Sequence, residues 1–256
     1  MTIKTEIHGA VAHIVLARPE KLNALSPELM QKLGDAALDL QKNREVRAVI
    51  IRGEGRGFCA GGDIDTMTGF DLVAGRIRLQ RAHRAITAIA NMDKPVIAAV
   101  RGPTVGVGWS VALACDMIIA SETTRFGAVF KKIGLAPDGG MAFFLTHYIG
   151  VLRTRELLMS ARLVEAKEAA SMGLVTELVA DEALEARAVA LAEELAQSAT
   201  FALAMGKRML WAAVQPSLES FLDVEAHIQN LVLRSDDHRE GASAFREKRS
   251  PKFVGH

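Results

Sequence analysis

The sequence predicts a layered α/β fold followed by a helical C-terminal part. Apolar, β-branched runs typical of strands buried on both faces alternate with helical patterns as far as about residue 150. Beyond about residue 151 the pattern is mostly helical. The chain has 256 residues and 50% of them are hydrophobic, which is enough for a sizeable core.

The first elements are predicted to be two short strands and a helix. Residues 2–17 alternate apolar and polar side chains around a turn at HGA, as a strand pair does. A helix follows, because Ser26 is a good N-cap and Pro27 suits the first helical position. The run VRAVIIRG (46–53) then predicts a buried strand, and the loop GEGRGFCAGGD (53–63) carries five glycines.

The middle of the chain repeats the alternation of helix and strand. Residues 71–92 are predicted to be helical, since apolar side chains recur on one stripe. KPVIAAVRG (94–102) predicts a second buried strand and DMIIAS (116–121) a third. Between these two strands, GVGWSVALAC (106–115) predicts a buried helix.

The C-terminal part is predicted to be helical apart from one strand at GLVTELV (173–179). Two stripes at helical spacing support this prediction. They consist of Leu184, Ala188, Leu191 and Leu195, and of Leu218, Phe221, Leu222, Ile228 and Val232. No linker marks a boundary, so we predict an α/β core over residues 1–195 and a helical region over 196–256 that does not fold independently.

Composition and simple motifs exclude several functional classes. A net charge of +1 and 5% aromatic residues give no sign of nucleic-acid binding. Two cysteines are too few for a disulfide framework and favour a reducing cytoplasm, and no apolar run is long enough to span a membrane. GVGWSV lacks the last glycine of a dinucleotide motif, and the seven histidines form no metal-binding pair, so we expect no metal.

Two glycine-rich loops are the first candidates for a site. GRGFCAGGD (55–63) and RGPTVGVGWS (101–110) each follow a predicted buried strand and lead towards a helix. Glycine lets the backbone turn sharply and approach a ligand closely. The two loops could each present a backbone N–H to one point, as in an oxyanion hole, or could be turns that pack helices on the sheet.

Several spaced motifs resemble the enoyl-CoA hydratase/isomerase family, also called the crotonase superfamily. They are RGFCAGGDI (56–64), KPVIAAVRGPTVGVGWSVALACDMIIAS (94–121), REGASAFREKRSPKF (239–253), RPEKLNAL (18–25) and ASMGLVTELV (170–179). The resemblance implies a crotonase-like spiral of ββα units with a helical C-terminal trimerisation region, in a homotrimer or a dimer of trimers. It also implies acyl-CoA thioester substrates, with coenzyme A as part of the substrate and no separate cofactor.

The resemblance assigns roles to particular positions. The backbone N–H donors of the oxyanion hole fall on Gly62 and on Val107, which replaces a common glycine but keeps its N–H. A neighbouring subunit is expected to supply Phe245 and Lys248 near the nucleotide. The positions expected to contact coenzyme A or the acyl group are Lys21, Ala24, Ala60, Gly61, Asp63, Ile64, Gly108, Ser110 and Phe130. Asp63 has an alternative interpretation as a brace for its loop.

The sequence departs from the hydratases of this family at both catalytic glutamates. Those positions hold Ser110 and Phe130, so a standard hydratase mechanism is not expected. IGLAPDGG (133–140) instead resembles the isomerase branch, above all the phenylacetate-type ring-opening isomerases, in which a carboxylate near this place is the acid and base. The resemblance therefore implies that Asp138 is the catalytic residue.

We expect Asp138 to move a proton from C2 to C4 of a 3-enoyl thioester, with apolar surroundings such as Phe130, Phe143 and Phe144 raising its pKa. The alternative interpretation of Asp138 is the N-cap of the helix that follows. Within the family, a hydratase or hydrolase with a remodelled site is a rival hypothesis. A catalytically silent protein that binds acyl-CoA is another.

Overall fold

The computed structural model describes residues 2–66, 72–214 and 235–256. The strands are β1 (Thr2–His8), β2 (Val11–Ala17), β3 (Ala48–Gly53), β4 (Val96–Val100), β5 (Pro103–Val105), β6 (Met117–Ser121), β7 (Arg125–Gly127), β8 (Leu163–Glu165) and β9 (Glu177–Val179). The α-helices are α1 (Pro27–Lys42), α2 (Leu72–Ala90), α3 (Val107–Leu113), α4 (Met141–Ser160), α5 (Ala166–Ser171), α6 (Leu184–Ala196), α7 (Thr200–Ala212) and α8 (Asp236–Glu247). Within the described ranges, every helix is too short or too polar to cross a membrane.

The strands form two sheets that the chain visits in turn. The larger sheet has the order β1-β2-β3-β4-β6-β9 and is parallel except for the β1–β2 pair. The smaller sheet has the order β5-β7-β8. Strand β4 lies in the large sheet, β5 in the small sheet, and α3 follows; β6, β7 and α4 repeat this arrangement. The expected ββα units are thus confirmed.

The central strand β3 contributes alternate residues to two separate clusters of apolar side chains. Val49 and Ile51 point to the main core, which includes the buried faces of α1, α2 and α3. Ala48 and Ile50 point to the opposite face, where α6 covers the sheet with Leu184 and its stripe. A strand covered on both faces is continuously apolar, as the sequence of this strand indicates.

The long elements agree with the sequence, whereas short ones differ. Helix α1 begins as predicted, because Ser26 Oγ accepts a hydrogen bond from the N–H of Leu29 at 3.2 Å. Strands β5, β7 and β8 were not predicted, since three residues are too few to show a period. Helix α4 is interrupted at Gly150, where φ is 77°. The predicted stripe from Leu218 to Val232 lies outside the described residues, and the division at residue 195 stays a prediction.

Candidate active site

The two glycine-rich loops lie in direct contact. We call residues 58–63 the first glycine loop and 102–108 the second. The N–H of Cys59 donates to the carbonyl of Pro103 at 3.0 Å, and the N–H of Val105 donates to the carbonyl of Cys59 at 3.0 Å. Further along, a Cβ placed on Gly61 would lie 3.1 Å from the Val105 oxygen and 3.8 Å from the Gly106 Cα. Glycine suits position 61 because φ is 98° there and because a side chain would crowd the Val105 oxygen.

Each loop presents a backbone N–H that has no acceptor among the described residues, and these two groups belong to Gly62 and Val107. Leu25 pairs with the first loop by donating to the Gly61 carbonyl and accepting from the Asp63 N–H, so the pairing leaves out the N–H of Gly62. Val107 is the first residue of α3, where an N–H has no acceptor within the helix. Both groups are therefore available to a ligand oxygen.

A buried asparagine fixes the approach to the first glycine loop. The side chain of Asn23 donates to the carbonyls of Glu54 and Gly57 at 2.9 and 2.8 Å and accepts from the N–H of Arg18 at 2.8 Å. The Cys59 thiol donates to the Asn23 carbonyl at 3.2 Å. Burial raises the pKa of Cys59 to about 12, so this thiol stays neutral and serves packing rather than chemistry.

Asp63 is bound to an arginine that the sequence did not indicate. Its carboxylate accepts a hydrogen bond from Arg18 Nη1 at 2.6 Å and is almost fully buried. This bond to Arg18 lowers the pKa of Asp63 below its usual range. The geometry favours the interpretation of Asp63 as a brace for the loop. Lys21, which was expected at coenzyme A, bonds to Asp65 at 2.5 Å.

The loop that carries Asp138 lies against the N-terminal turn of α3. Ser110 Oγ donates a hydrogen bond to the backbone carbonyl of Asp138 at 2.9 Å. A Cβ placed on Gly139 would lie 2.8 Å from the Ser110 Cβ and 3.2 Å from a methyl of Val107. The residue after Asp138 therefore touches the residue that bears one of the two available N–H groups. Asp138 itself is half-buried, with its Oδ1 atom inaccessible to solvent.

The interpretation of Asp138 as a side-chain N-cap is wrong. Helix α4 begins at Met141, and its N-cap is Gly140 in a left-handed conformation, with no side-chain cap among the described residues. The backbone carbonyl of Asp138 accepts a hydrogen bond from the N–H of Met141 at 3.2 Å. Two successive glycines with positive φ displace the aspartate from the capping position.

A cavity of about 510 Å³ borders the Asp138 loop at Gly139 and Gly140. One wall is aromatic and consists of Phe143, Phe144 and Trp211, whose rings are 5.6–5.9 Å apart. Helix α2 and the residue after it contribute the polar side chains of His83, Thr87 and Asn91 to the lining of the same cavity. Phe130 is buried but is not among the described residues that line this cavity.

The other residues expected to bind substrate are spread around the two loops. Gly108 packs against Cys59, because a Cβ there would lie 2.6 Å from the Cys59 Cβ. Ala24 and Ala60 are half-buried, and Ile64 is exposed. Lys248 is exposed at the end of α8, and the side chain of Phe245 lies outside the described part. Their contacts with substrate stay predictions.

Comparisons with known proteins agree on one family. The sequence profile described as enoyl-CoA hydratase/isomerase matches residues 6–256. The 1,2-epoxyphenylacetyl-CoA isomerase of Escherichia coli K12 is 34% identical over 99% of this chain and 98% of its own. A protein of Rhodobacter capsulatus described as a probable enoyl-CoA hydratase is 37% identical over 99% and 98%. The crystal structure of an enoyl-CoA hydratase from Polaromonas sp. JS666 superposes with a TM-score of 0.93 at 32% identity, covering 98% of this chain and 99% of that one.

Proposed function

Because the chain belongs to the enoyl-CoA hydratase/isomerase family, we propose that it is an isomerase that shifts a double bond in an acyl-CoA thioester, with Asp138 as its single acid and base. One observation carries the proposal. Gly139, the residue after Asp138, touches both Val107 and Ser110. The loop that bears the carboxylate therefore meets the helix whose first N–H is available to an oxyanion.

The proposed reaction needs one carboxylate and two N–H donors. A 3-enoyl thioester has acidic protons at C2, which lies between the carbonyl and the double bond. Asp138 removes one of them, and the electron pair spreads to the thioester oxygen, where the N–H groups of Gly62 and Val107 stabilise the negative charge. The protonated Asp138 then returns the proton to C4, and the double bond moves to C2–C3.

The residues at the two glutamate positions favour isomerisation over hydration. Addition of water requires one group that activates the water and a proton delivered to C2. Phe130 has no polar atom on its side chain. Ser110 is fully buried, and its hydroxyl proton points to the carbonyl of Asp138. Neither residue can take the part of a hydratase glutamate.

The cavity beside Gly139 supports a ring-bearing acyl group as the substrate class. Aromatic side chains prefer to pack against flat rings in offset or edge-on geometry. Phe143, Phe144 and Trp211 offer such a surface, and the polar side chains that line the same cavity can bind an oxygen carried by the ring. The relative from Escherichia coli is named for an epoxyphenylacetyl-CoA substrate, which has both features.

The decisive experiment replaces Asp138 by asparagine. Because asparagine has nearly the same size as aspartate and keeps a side-chain oxygen that accepts hydrogen bonds, Asp138→Asn should leave the melting temperature nearly unchanged. Conversion of 3-enoyl-CoA to 2-enoyl-CoA should fall about 10²-fold or more, the scale of positioned general-base catalysis. Deuterium exchange from solvent at C2 of a bound thioester should fall with it. Asp35→Asn, which changes an exposed aspartate on α1, is the matched control.

A panel of acyl-CoA thioesters separates this proposal from its rivals. Linear and aryl-substituted 3-enoyl and 2-enoyl thioesters are incubated with the enzyme, and the products are identified. A 3-hydroxyacyl product would indicate a hydratase, free coenzyme A a hydrolase, and tight binding without turnover a silent acyl-CoA-binding protein. An Asp138→Asn variant with full isomerase activity would contradict the proposed role of the carboxylate.

A further inference from the structure

Ser110 has a place in the fold that links the two halves of the proposed site. It lies three residues after Val107 on α3, and residues at this spacing share one face of a helix. All seven residues of α3 are buried, so the helix is held by the core on every side. Val107 and Ser110 therefore face the Asp138 loop from one rigid support.

The hydroxyl of Ser110 has two acceptors within reach and one hydrogen. The carbonyl of Gly106, one turn earlier in the same helix, is 3.5 Å away, and the carbonyl of Asp138 is 2.9 Å away. The shorter distance lies in the normal range of an O–H···O bond and the longer one does not. The hydrogen bond therefore joins α3 to the Asp138 loop.

The Asp138 loop contains three glycines that increase its conformational freedom. Gly134, Gly139 and Gly140 all have positive φ, and glycine gives a chain more conformational freedom than any other residue. Residues 135–137 are exposed, so their packing restrains the loop weakly. The peptide that follows Asp138 is joined to α3 by the hydrogen bond from Ser110 and by the contact of Gly139, and to the start of α4 by the hydrogen bond from the N–H of Met141.

We propose that Ser110 is a positioning residue, which holds the Asp138 carboxylate at the correct distance from the oxyanion N–H of Val107. The inference rests on the proposed function, and it concerns placement rather than chemistry. A general base must lie within hydrogen-bond reach of the proton that it removes, and a misplacement of about 1 Å can cost about 10² in rate. The Ser110 hydroxyl, which cannot act as the base of a hydratase, would thus contribute to isomerisation by positioning Asp138.

The test begins with Ser110→Ala, which removes the hydrogen bond and adds no atom. The kcat for the double-bond shift should fall about 10- to 100-fold. KM should change less than about twofold, because Ser110 is fully buried, which argues against its expected contact with the substrate. Thr124→Val is the matched control. Thr124 is fully buried, and its hydroxyl donates to the Val100 carbonyl at 2.9 Å, so it loses an equivalent bond away from the site. It should keep the kcat of the wild type.

A double-mutant cycle with Asp138→Asn shows whether Ser110 acts through Asp138. If it does, Ser110→Ala adds no further loss of C2 exchange in the Asp138→Asn background. An equal loss in both backgrounds would overturn the inference, and so would a Ser110→Ala kcat within twofold of wild type or a change confined to KM. An Asp138→Asn variant that keeps full activity would reject the proposed function itself, which is a separate and recognisable result.

Discussion

The proposed oxyanion hole, which would stabilise the negative charge on the thioester oxygen, consists of backbone N–H groups. Positions 62 and 107 each contribute a backbone N–H group. Every residue except proline has this group, so only proline would remove it. Val107 is well suited to test this. It is the first residue of α3, where proline fits, and it follows Gly106, which has no Cβ that a proline ring would meet.

We predict that Val107→Pro lowers kcat for isomerisation by about 10²–10³, the usual effect of losing one oxyanion donor. The variant should fold, with a melting temperature close to that of Val107→Ala, which is smaller but keeps the N–H. Differential scanning fluorimetry and steady-state kinetics with a 3-enoyl-CoA check the two expectations. A folded Val107→Pro enzyme with wild-type turnover would remove Val107 from the oxyanion hole.

The pair of Arg18 and Asp63 predicts a pH dependence of stability. Arg18 lowers the pKa of Asp63 in the folded state, whereas the unfolded value is about 3.9. The carboxylate therefore adds stability above the unfolded pKa, and this contribution is lost as pH falls through the folded pKa. Asp63→Asn should lower the free energy of unfolding by about 1–3 kcal/mol at pH 7, the cost of a hydrogen bond to a charged group.

Urea denaturation of wild type and Asp63→Asn at several pH values measures this difference. It should be constant from pH 7 to about pH 5 and should shrink below about pH 4, as the wild-type carboxylate becomes protonated. A difference that stays the same down to pH 3.5 would show that the charge of Asp63 is not what stabilises the loop.

Among the structural elements, the loop between Gly134 and Gly140 allows a comparison of two glycines. Both Gly134 and Gly139 have positive φ, so alanine at either position costs about 1–2 kcal/mol of backbone strain. They differ in their surroundings. A Cβ on Gly134 would meet no described atom within 4 Å, whereas one on Gly139 would collide with Ser110.

We therefore predict that Gly139→Ala loses more stability and more activity than Gly134→Ala, because only the Cβ at position 139 collides with a neighbour. Gly139→Ala should push the Asp138 loop away from α3 and reduce kcat at least about tenfold, since placement of the base is lost. Gly134→Ala should keep most of its kcat. Thermal unfolding and kinetics on both variants decide the matter, and equal activities would contradict a role for the contact between Gly139 and α3.

The sequence predicted long elements and missed those formed by distant residues. Helix α1 begins with an N-cap serine, and strand β3 is a continuous apolar run. The local sequence pattern is therefore enough to predict both elements. Strands β5, β7 and β8 exist because they pair with one another, and three residues carry no period of their own. The N-cap of α4 was misjudged because Asp is a good cap in general, while the two glycines after it set the actual start.

The candidate site shows the same division. The two glycine loops could be predicted because a close approach of two backbone segments favours glycine, which is visible in the sequence. The hydrogen bonds of Arg18 with Asp63 and of Ser110 with Asp138 join residues 45 and 28 positions apart. Neither bond follows from a local pattern, because each depends on which loops the fold brings together.

At the scale of the whole molecule, the family resemblance predicts association, and exposed apolar side chains are compatible with it. Leu152 is 78% exposed and Leu210 is 72% exposed, on α4 and α7 respectively. Large exposed apolar patches usually mark contacts between proteins. We propose that the chain forms a homotrimer or a dimer of trimers, and that Phe245 and Lys248 of one subunit complete the coenzyme A site of the next.

Sedimentation velocity at micromolar concentration should therefore show an oligomer whose mass is a multiple of three chains. Leu210→Glu should weaken it, because a buried carboxylate without a partner is costly. Gln31→Glu, which adds the same charge at an exposed polar position on α1, should not. A stable monomer in the wild type would contradict the proposed assembly.

Because the proposed oxyanion hole uses backbone N–H groups, it also affects which substitutions the protein can accumulate during evolution. In a saturation library selected for turnover, position 107 should tolerate many residues of similar size and reject proline. The set of permitted residues would therefore give little sign that position 107 contributes to catalysis. Gly139 should accept only glycine, and Asp138 should accept few or no replacements. Evolution can therefore change the side chain at position 107 without loss of activity, as long as the backbone N–H keeps its place.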